Sequence, residues 1–138
     1  MCLEIESAYK ARKNGSRGWK IMRAVNMSQA DGPSLCGTNR TEKGNYVNDP
    51  YCEAMKLGSM RRAAPATEGI HVCPTQESAK KVLDEYTRGA FTNLQLVEVR
   101  CYGFRAGGTN DFGAHSSCET WNAVKLLHLV DPLTFKPF

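Results

Sequence analysis

The stretch from Ile70 to Arg88 changes its period in mid-course, and that change constrains the fold more than any other feature of the chain. Up to Cys73 the residues alternate, so Ile70 and Val72 go to one face of a short strand and His71 and Cys73 to the other. Pro74 ends the strand because it has no backbone donor for a ladder. Thr75 then caps a helix through its side-chain oxygen, and Glu77 sits in the positively polarised first turn. From there Ala79, Val82, Leu83 and Tyr86 recur at helical spacing, with Lys80, Lys81, Asp84 and Glu85 on the other side. The pattern predicts a helix over 75–87, and a strand feeding such a helix needs a sheet to pack it on.

The rest of the chain supplies that sheet. Leu3, Ile5 and Tyr9 alternate with polar residues, Asn14 to Gly18 form a flexible turn, and Trp19 to Val25 return. Residues 2–25 are therefore expected to be a hairpin with a basic tip. Trp19, Ile21, Arg23 and Val25 share a face in this reading, a costly place for a guanidinium unless it is paired or reaches a ligand. Residues 27–49 read as a long loop. Asp49-Pro50 signals a second helix, with Tyr51, Ala54, Met55 and Leu57 as a short apolar face before Gly58. Leu94–Tyr102 and Asn122–Val130 are expected to be neighbouring strands, the second apolar on both faces as in an internal strand. Between them, residues 103–113 form a second glycine-rich loop. The fold class expected is α+β: one compact domain, a mostly antiparallel sheet and two helices.

A chain of 138 residues is long enough to bury one core unaided, and its 41% hydrophobic and 23% charged residues are those of an ordinary globular protein. No run approaches the roughly 20 apolar residues of a membrane span, and the opening residues lack a signal segment. A cytoplasmic protein without membrane contact is expected. Cysteines at 2, 36, 52, 73, 101 and 118 include no Cys-x-x-Cys pair and are expected to be reduced and mostly buried. The net charge is only +4, but Lys10, Arg12, Lys13, Arg17 and Lys20 are clustered, and Arg61 and Arg62 add a pair. Such a surface suits phosphates or an acidic partner, though a solvated hairpin tip explains it as well. Nucleic acid is the weaker reading, because interleaved aromatics are nearly absent.

His71 and Cys73, with His115 and Cys118, are a donor set that zinc accepts. The halves lie far apart and match no standard knuckle, so packing is expected and no metal is assigned. Cys73 has two readings, a nucleophile served by His71 or His115 and a buried structural thiol. His128, in an apolar strand, reads as a satisfied core histidine. There is no dinucleotide fingerprint, P-loop or nucleophile elbow.

Arg23 on an early strand, Gly69-Ile70-His71 followed by Pro74-Thr75 and a helix, the strand Leu96-Val97-Glu98-Val99, and Glu119 before the last strand together resemble a compressed ADP-ribosyltransferase arrangement. The segment Gly69 to Cys73, with the helix and Val-Glu-Val strand after it, also resembles small uncharacterised phage and bacterial proteins with a Gly-Phe-His-x-Cys motif. The transferase resemblance implies NAD as cofactor and Arg23, His71 and Glu119 as catalytic residues. By the same resemblance Arg23 holds phosphate, His71 with Thr75 shapes the nicotinamide pocket, and Glu119 supports transfer. The chain lacks the family's Ser-Thr-Ser motif and its paired acidic motif at Glu119. The function expected is binding of NAD or another nucleotide, with ADP-ribosyl transfer as the associated chemistry. The alternatives are a noncatalytic phage effector that meets a host protein or a defence nucleotide through Lys10, Arg12, Lys13 and Arg17, and a nucleic-acid-binding accessory protein. Against each catalytic assignment stands a plain one: Arg23 as an exposed strand residue, Glu119 as a cap or surface carboxylate.

Overall fold

The computed structural model describes residues 3–26, 32–37, 39–40, 46–47, 54–66, 68–88, 93–110 and 116–138. In chain order its elements are β1 (Leu3–Ile5), β2 (Ser16–Asn26), β3 (Ser34–Cys36), β4 (Asn39–Arg40), β5 (Tyr46–Val47) and β6 (Met55–Lys56). There follow β7 (Met60–Arg62), β8 (Ile70–Val72), α1 (Gln76–Arg88), β9 (Leu94–Asn110) and β10 (Ser117–Val130).

The long strands β9 and β10 organise the molecule. They pair antiparallel from Ser117 opposite Thr109 to Val130 opposite Leu96, with register shifts at Thr120/Trp121 and Leu126/His128. Bulges of this kind bend a strand and increase its twist, and here they curl the sheet into a half-barrel. The order is β6-β3-β2-β9-β10-β7, with β1 added to β9 and β8 to β10; β4 and β5 form a separate pair. β8 and β7 occupy successive stretches of one edge of β10, opposite residues 119–121 and 123–125. The curl brings β8 back to β2, where Trp19 and Cys73 exchange both backbone hydrogen bonds, 2.9 and 2.8 Å. Gly18 permits that approach, since a Cβ there would overlap the Val72 side chain.

Alternation along the curled strands divides the apolar residues between two cores. Inside the curl lie Met22, Val72, Val97, Val99, Trp121 and Val124, each no more than 1% exposed. On the outer face α1 lays Ala79, Val82 and Tyr86 on Ile21, Leu96 and Val130, and Phe135 from the C-terminal turn closes the group against the Trp19 edge. Each large side chain buried this way contributes about 1.5–3 kcal/mol, which is how a helix of modest intrinsic stability is held. Its cap is as the sequence indicates: Ser78 N–H donates to Thr75 Oγ1 at 3.1 Å.

The expectation of an α+β domain with two helices is corrected to a mostly antiparallel sheet with a single helix among the described residues. Residues 49–53 of the expected second helix lie outside the described residues. Of its remainder, Met55 and Lys56 are strand, paired with Leu35 and Ser34, and Leu57 begins a turn. Tyr51, Ala54 and Met55 have the spacing of a helix, whereas Met55 and Leu57, two apart, have that of a strand face, and the edge of β3 takes up the strand. The hairpin over 2–25 is also corrected. β1 pairs with the far end of β9, Leu3 opposite Asn110, whereas β2 pairs with its first half, Ser16 opposite Cys101 to Arg23 opposite Leu94. A strand as long as β9 accepts both on one edge. Residues 103–110 of the expected glycine-rich loop are part of β9, and residues 111–113 lie outside the described residues. Within 27–49, β3 to β5 are strands where a loop was expected. Among the described residues no helix is long and apolar enough to cross a membrane.

Candidate functional site

Beyond β1 the chain leaves the edge of β9, after Glu6 N–H donates to Gly107 C=O at 3.0 Å, and turns so that Tyr9 N–H reaches Glu6 C=O at 3.0 Å. Tyr9 now lies over Gly107, where a Cβ would overlap its ring. Gly107 is directly opposite Glu119 across the β9–β10 ladder. The missing side chain thus makes room for a phenol beside the carboxylate, and Tyr9 OH donates to Glu119 Oε2 at 2.7 Å. Arg12 completes the arrangement. Its Nε lies 2.8 Å from Oε2 and 3.1 Å from Oε1, and its Nη2 lies 2.6 Å from Oε1. Trp121 Nε1 donates to Oε1 from below at 3.2 Å.

Glu119 is 0% exposed, and a buried carboxylate costs several kcal/mol unless its lone pairs are met. Here a guanidinium fork and two neutral donors meet them. The effect returns to the donors. The hydrogen bond to Glu119 holds Arg12 above its usual range against the opposing pull of burial. Burial first, and the Glu119 hydrogen bond second, push the Tyr9 phenol upward, so it remains a donor. Aromatic rings brace the group: Tyr9 stacks on Phe104 at 6.0 Å, Phe104 meets Trp121 edge-on at 5.2 Å, and the Arg12 guanidinium sits 5.8 Å from the Trp121 ring centre.

Above this base is an open recess of about 550 Å³ lined by Tyr9, Lys10, Ala11, Arg12, Lys13 and Ser16. Its far wall is tied to β9, because Gly15 N–H donates to Cys101 C=O at 2.8 Å and Gly103 N–H to Asn14 Oδ1 at 2.7 Å. Ser16 OH donates to Lys13 C=O at 2.6 Å and closes the turn. Lys10 and Lys13 are exposed at the rim. The recess joins an apolar floor of Tyr9 and Ala11 to a cationic rim, a combination that receives an anion carrying a flat or apolar group.

The structure separates the residues named from the resemblance. Glu119 pairs with Val72 and shares its face, inside the curl, whereas His71 pairs with Thr120 on the opposite face. Arg23 alternates with the core residues Met22 and Ala24 and so shares the outer face with Ile21, opposite Leu94 and Cys36. Arg23 and His71 therefore take one side of the sheet and Glu119 the other. His71 Nε2 is 3.5 Å from Glu68 Oε2, and Thr75 is occupied as the cap of α1. Of the basic residues expected to meet a partner, Arg12 is bound to Glu119 and Arg17 to Glu98, at 2.8 Å, leaving Lys10 and Lys13 at the rim.

His71 and Cys73 do project together, as their spacing indicates, but Cys73 is buried and burial pushes its thiol up to about 12. Cys101 and Cys118 are pushed up to about 12 by burial as well. None of these is an activated nucleophile. Among the described residues no three His, Cys, Asp or Glu side chains gather to hold a metal, and His115 lies outside them. His128 is half-buried and meets Glu98 at 3.1 Å instead of lying in the core. Sequence reasoning missed Tyr9, Phe104 and Trp121 as parts of the Glu119 cluster. The available signal was Gly107-Gly108 within an otherwise strand-like run, which marks a close approach by another group. No family model matches the chain, and no curated protein or solved structure matches it.

Proposed function

We propose that this chain is a noncatalytic binding protein that takes a nucleotide-class anion, NAD among the candidates, in the recess between Tyr9 and Ser16. The observation that carries the reading is the state of Glu119: both carboxylate oxygens are engaged by Arg12, Tyr9 and Trp121 at full burial. A carboxylate so placed fixes a cation and a ring. It does not face a substrate. Arg12 and Tyr9 are thereby preorganised, so a ligand does not bear the cost of ordering them. Lys10 and Lys13 supply charge for phosphates, and the Tyr9–Ala11 floor supplies contact for a base or ribose.

ADP-ribosyl transfer is the rival reading and requires Glu119 to exchange Arg12 or Tyr9 for a ribose hydroxyl. A host protein with an acidic surface is the other, since an open recess with a cationic rim also fits a carboxylate. The reading takes the protein to be cytoplasmic, which accords with buried free thiols at Cys36, Cys73, Cys101 and Cys118. Calorimetry with NAD and ATP, beside an assay for nicotinamide release, tests it. Saturable binding without release supports a binding protein. Release suppressed by Glu119→Gln would replace it with the transferase, and no binding of either nucleotide would reject it.

A further inference from the structure

Helix α1 and Phe135 cover the outer face of the sheet around Ile21, Leu96 and Val130. Farther along the same strands that face carries charge. Arg100 stands between the inner core residues Val99 and Cys101, and Lys125 between Val124 and Leu126, so both side chains take the outer face. Arg17 is directly opposite Arg100, and Arg100 is directly opposite Lys125. Three cations thus stand in one row across β2, β9 and β10, at the interval of about 4.8 Å that separates paired strands. Met60 of β7 continues the row opposite Lys125, and the exposed Arg62 follows two residues along β7.

The next row holds Trp19, Glu98 and His128. Glu98 Oε2 lies 2.8 Å from Arg17 Nη1 and 3.1 Å from His128 Nε2, so one carboxylate oxygen meets both basic side chains. That contact orients Arg17 along the face and leaves the row with an excess of positive charge. Among the described residues Arg100 and Lys125 make no ion pair. Like charges directly opposite each other destabilise a sheet, and here the two like pairs share Arg100. The row therefore gives the fold nothing. It is a charge arrangement that a polyanion completes.

We propose that this row is a binding surface for the phosphate backbone of double-stranded nucleic acid, with Arg17, Arg100 and Lys125 each meeting a phosphate and Arg62 at the β7 end. A duplex backbone is held by charge without regard to sequence, and a line of cations supplies what that contact needs. The planar forks of Arg17 and Arg100 suit phosphate oxygens. A protein partner needs buried aromatic or apolar anchors as well, and the apolar side chain in this row is Met60, at its end. Single strands are gripped by exposed stacking rings, whereas the flanking aromatics Trp19 and Tyr102 are half-buried. The surface does not depend on the nucleotide recess, which is built on the inner face around Glu119.

Fluorescence anisotropy of the full chain with a labelled DNA duplex of mixed sequence, titrated over a range of salt, tests the surface. The logarithm of affinity should fall against the logarithm of salt with a slope of about −2.7, the value for three phosphate contacts. Arg100→Gln/Lys125→Gln should weaken binding about tenfold at low salt and make the slope shallower by about 1.8. Its melting temperature should stay at or above that of wild type, because the like-charged neighbours are gone. Lys125→Gln alone, at an exposed position, keeps the test open if the double variant fails to fold, and its slope should be shallower by about 0.9. Lys10→Gln/Lys13→Gln should leave the slope unchanged. Absence of salt-dependent duplex binding, or one slope shared by wild type and the row variants, overturns the proposal. So does tighter binding of the single strand. Equal affinity for polyglutamate overturns it too, by assigning the row to an acidic protein.

Discussion

Arg12 grips Glu119 through Nε and Nη2, with contacts of 2.6 to 3.1 Å, across most of the length of the chain. The carboxylate is wholly buried while the Arg12 side chain retains 31% of its exposure. One end of the pair is thus part of the core and the other part of the surface, so the stability of the sheet and the shape of the recess depend on one contact.

Removing either partner should be costly. Arg12→Ala leaves a buried carboxylate short of its cation, and the usual penalty of about 3–5 kcal/mol applies near its lower end because Arg12 is partly exposed. Urea denaturation of Arg12→Ala, Glu119→Gln and the double variant forms a cycle that measures the coupling. A loss below about 1 kcal/mol for Arg12→Ala would show that the pair behaves as an ordinary surface bridge.

Gly107→Ala should act through Tyr9. The new Cβ overlaps the phenol, so the ring must leave Glu119, and a destabilisation of about 1–3 kcal/mol is expected from the displaced packing. Combining it with Tyr9→Ala removes the overlap, and the two losses should then sum to less than their separate values. Strict additivity in denaturant melts would show that the ring does not depend on Gly107.

Stability should pass through a maximum in mildly alkaline solution. Lys20 has its folded pKa lowered from 10.5 to about 8, so the cost of burying its charge is present below about 8 and relieved as pH rises toward 10.5. Cys73, Cys101 and Cys118 are raised from 9.0 to about 12, so their stabilising contribution is full below about 9 and lost as pH rises toward 12. Chemical denaturation from pH 7 to 11 should show a rise and then a fall. In Lys20→Met the rise should disappear and the fall remain, and a wild-type curve falling steadily from pH 7 would contradict the buried ammonium.

Neutralising the rim should change binding and spare the fold. Lys10→Gln/Lys13→Gln removes exposed charges that hold no core contact, so its melting temperature should stay close to wild type. Nucleotide affinity should drop several-fold at low salt, and the difference should shrink as ionic strength rises and screening removes the charge contribution. A salt-independent loss would point to direct packing contacts.

The helix from Gln76 to Arg88 and the pairing partners β9 and β10 were legible because their information is local. A capped amphipathic face and long apolar runs carry the same meaning in any surroundings. Met55 was ambiguous for the opposite reason: it stands at helical spacing from Tyr51 and at strand spacing from Leu57, and an edge of β3 chose the strand. Leu3 to Ile5 read correctly as strand but with the wrong partner, since alternation says which face is apolar and nothing about which edge is free.

By itself the sequence determined the helix from Gln76 to Arg88, the strand character of 94–102 and 122–130, and that its opening third carries a concentration of positive charge. Only the tertiary structure decided what those charges do. It set Arg12 on a buried carboxylate, Arg17 on Glu98 and Lys20 on the His71 carbonyl, and left Lys10 and Lys13 at the rim. The physical reason is range. Propensity and period act between neighbours in the chain, whereas the energy of a charge depends on burial and on partners brought beside it by the bulged pairing of β9 and β10.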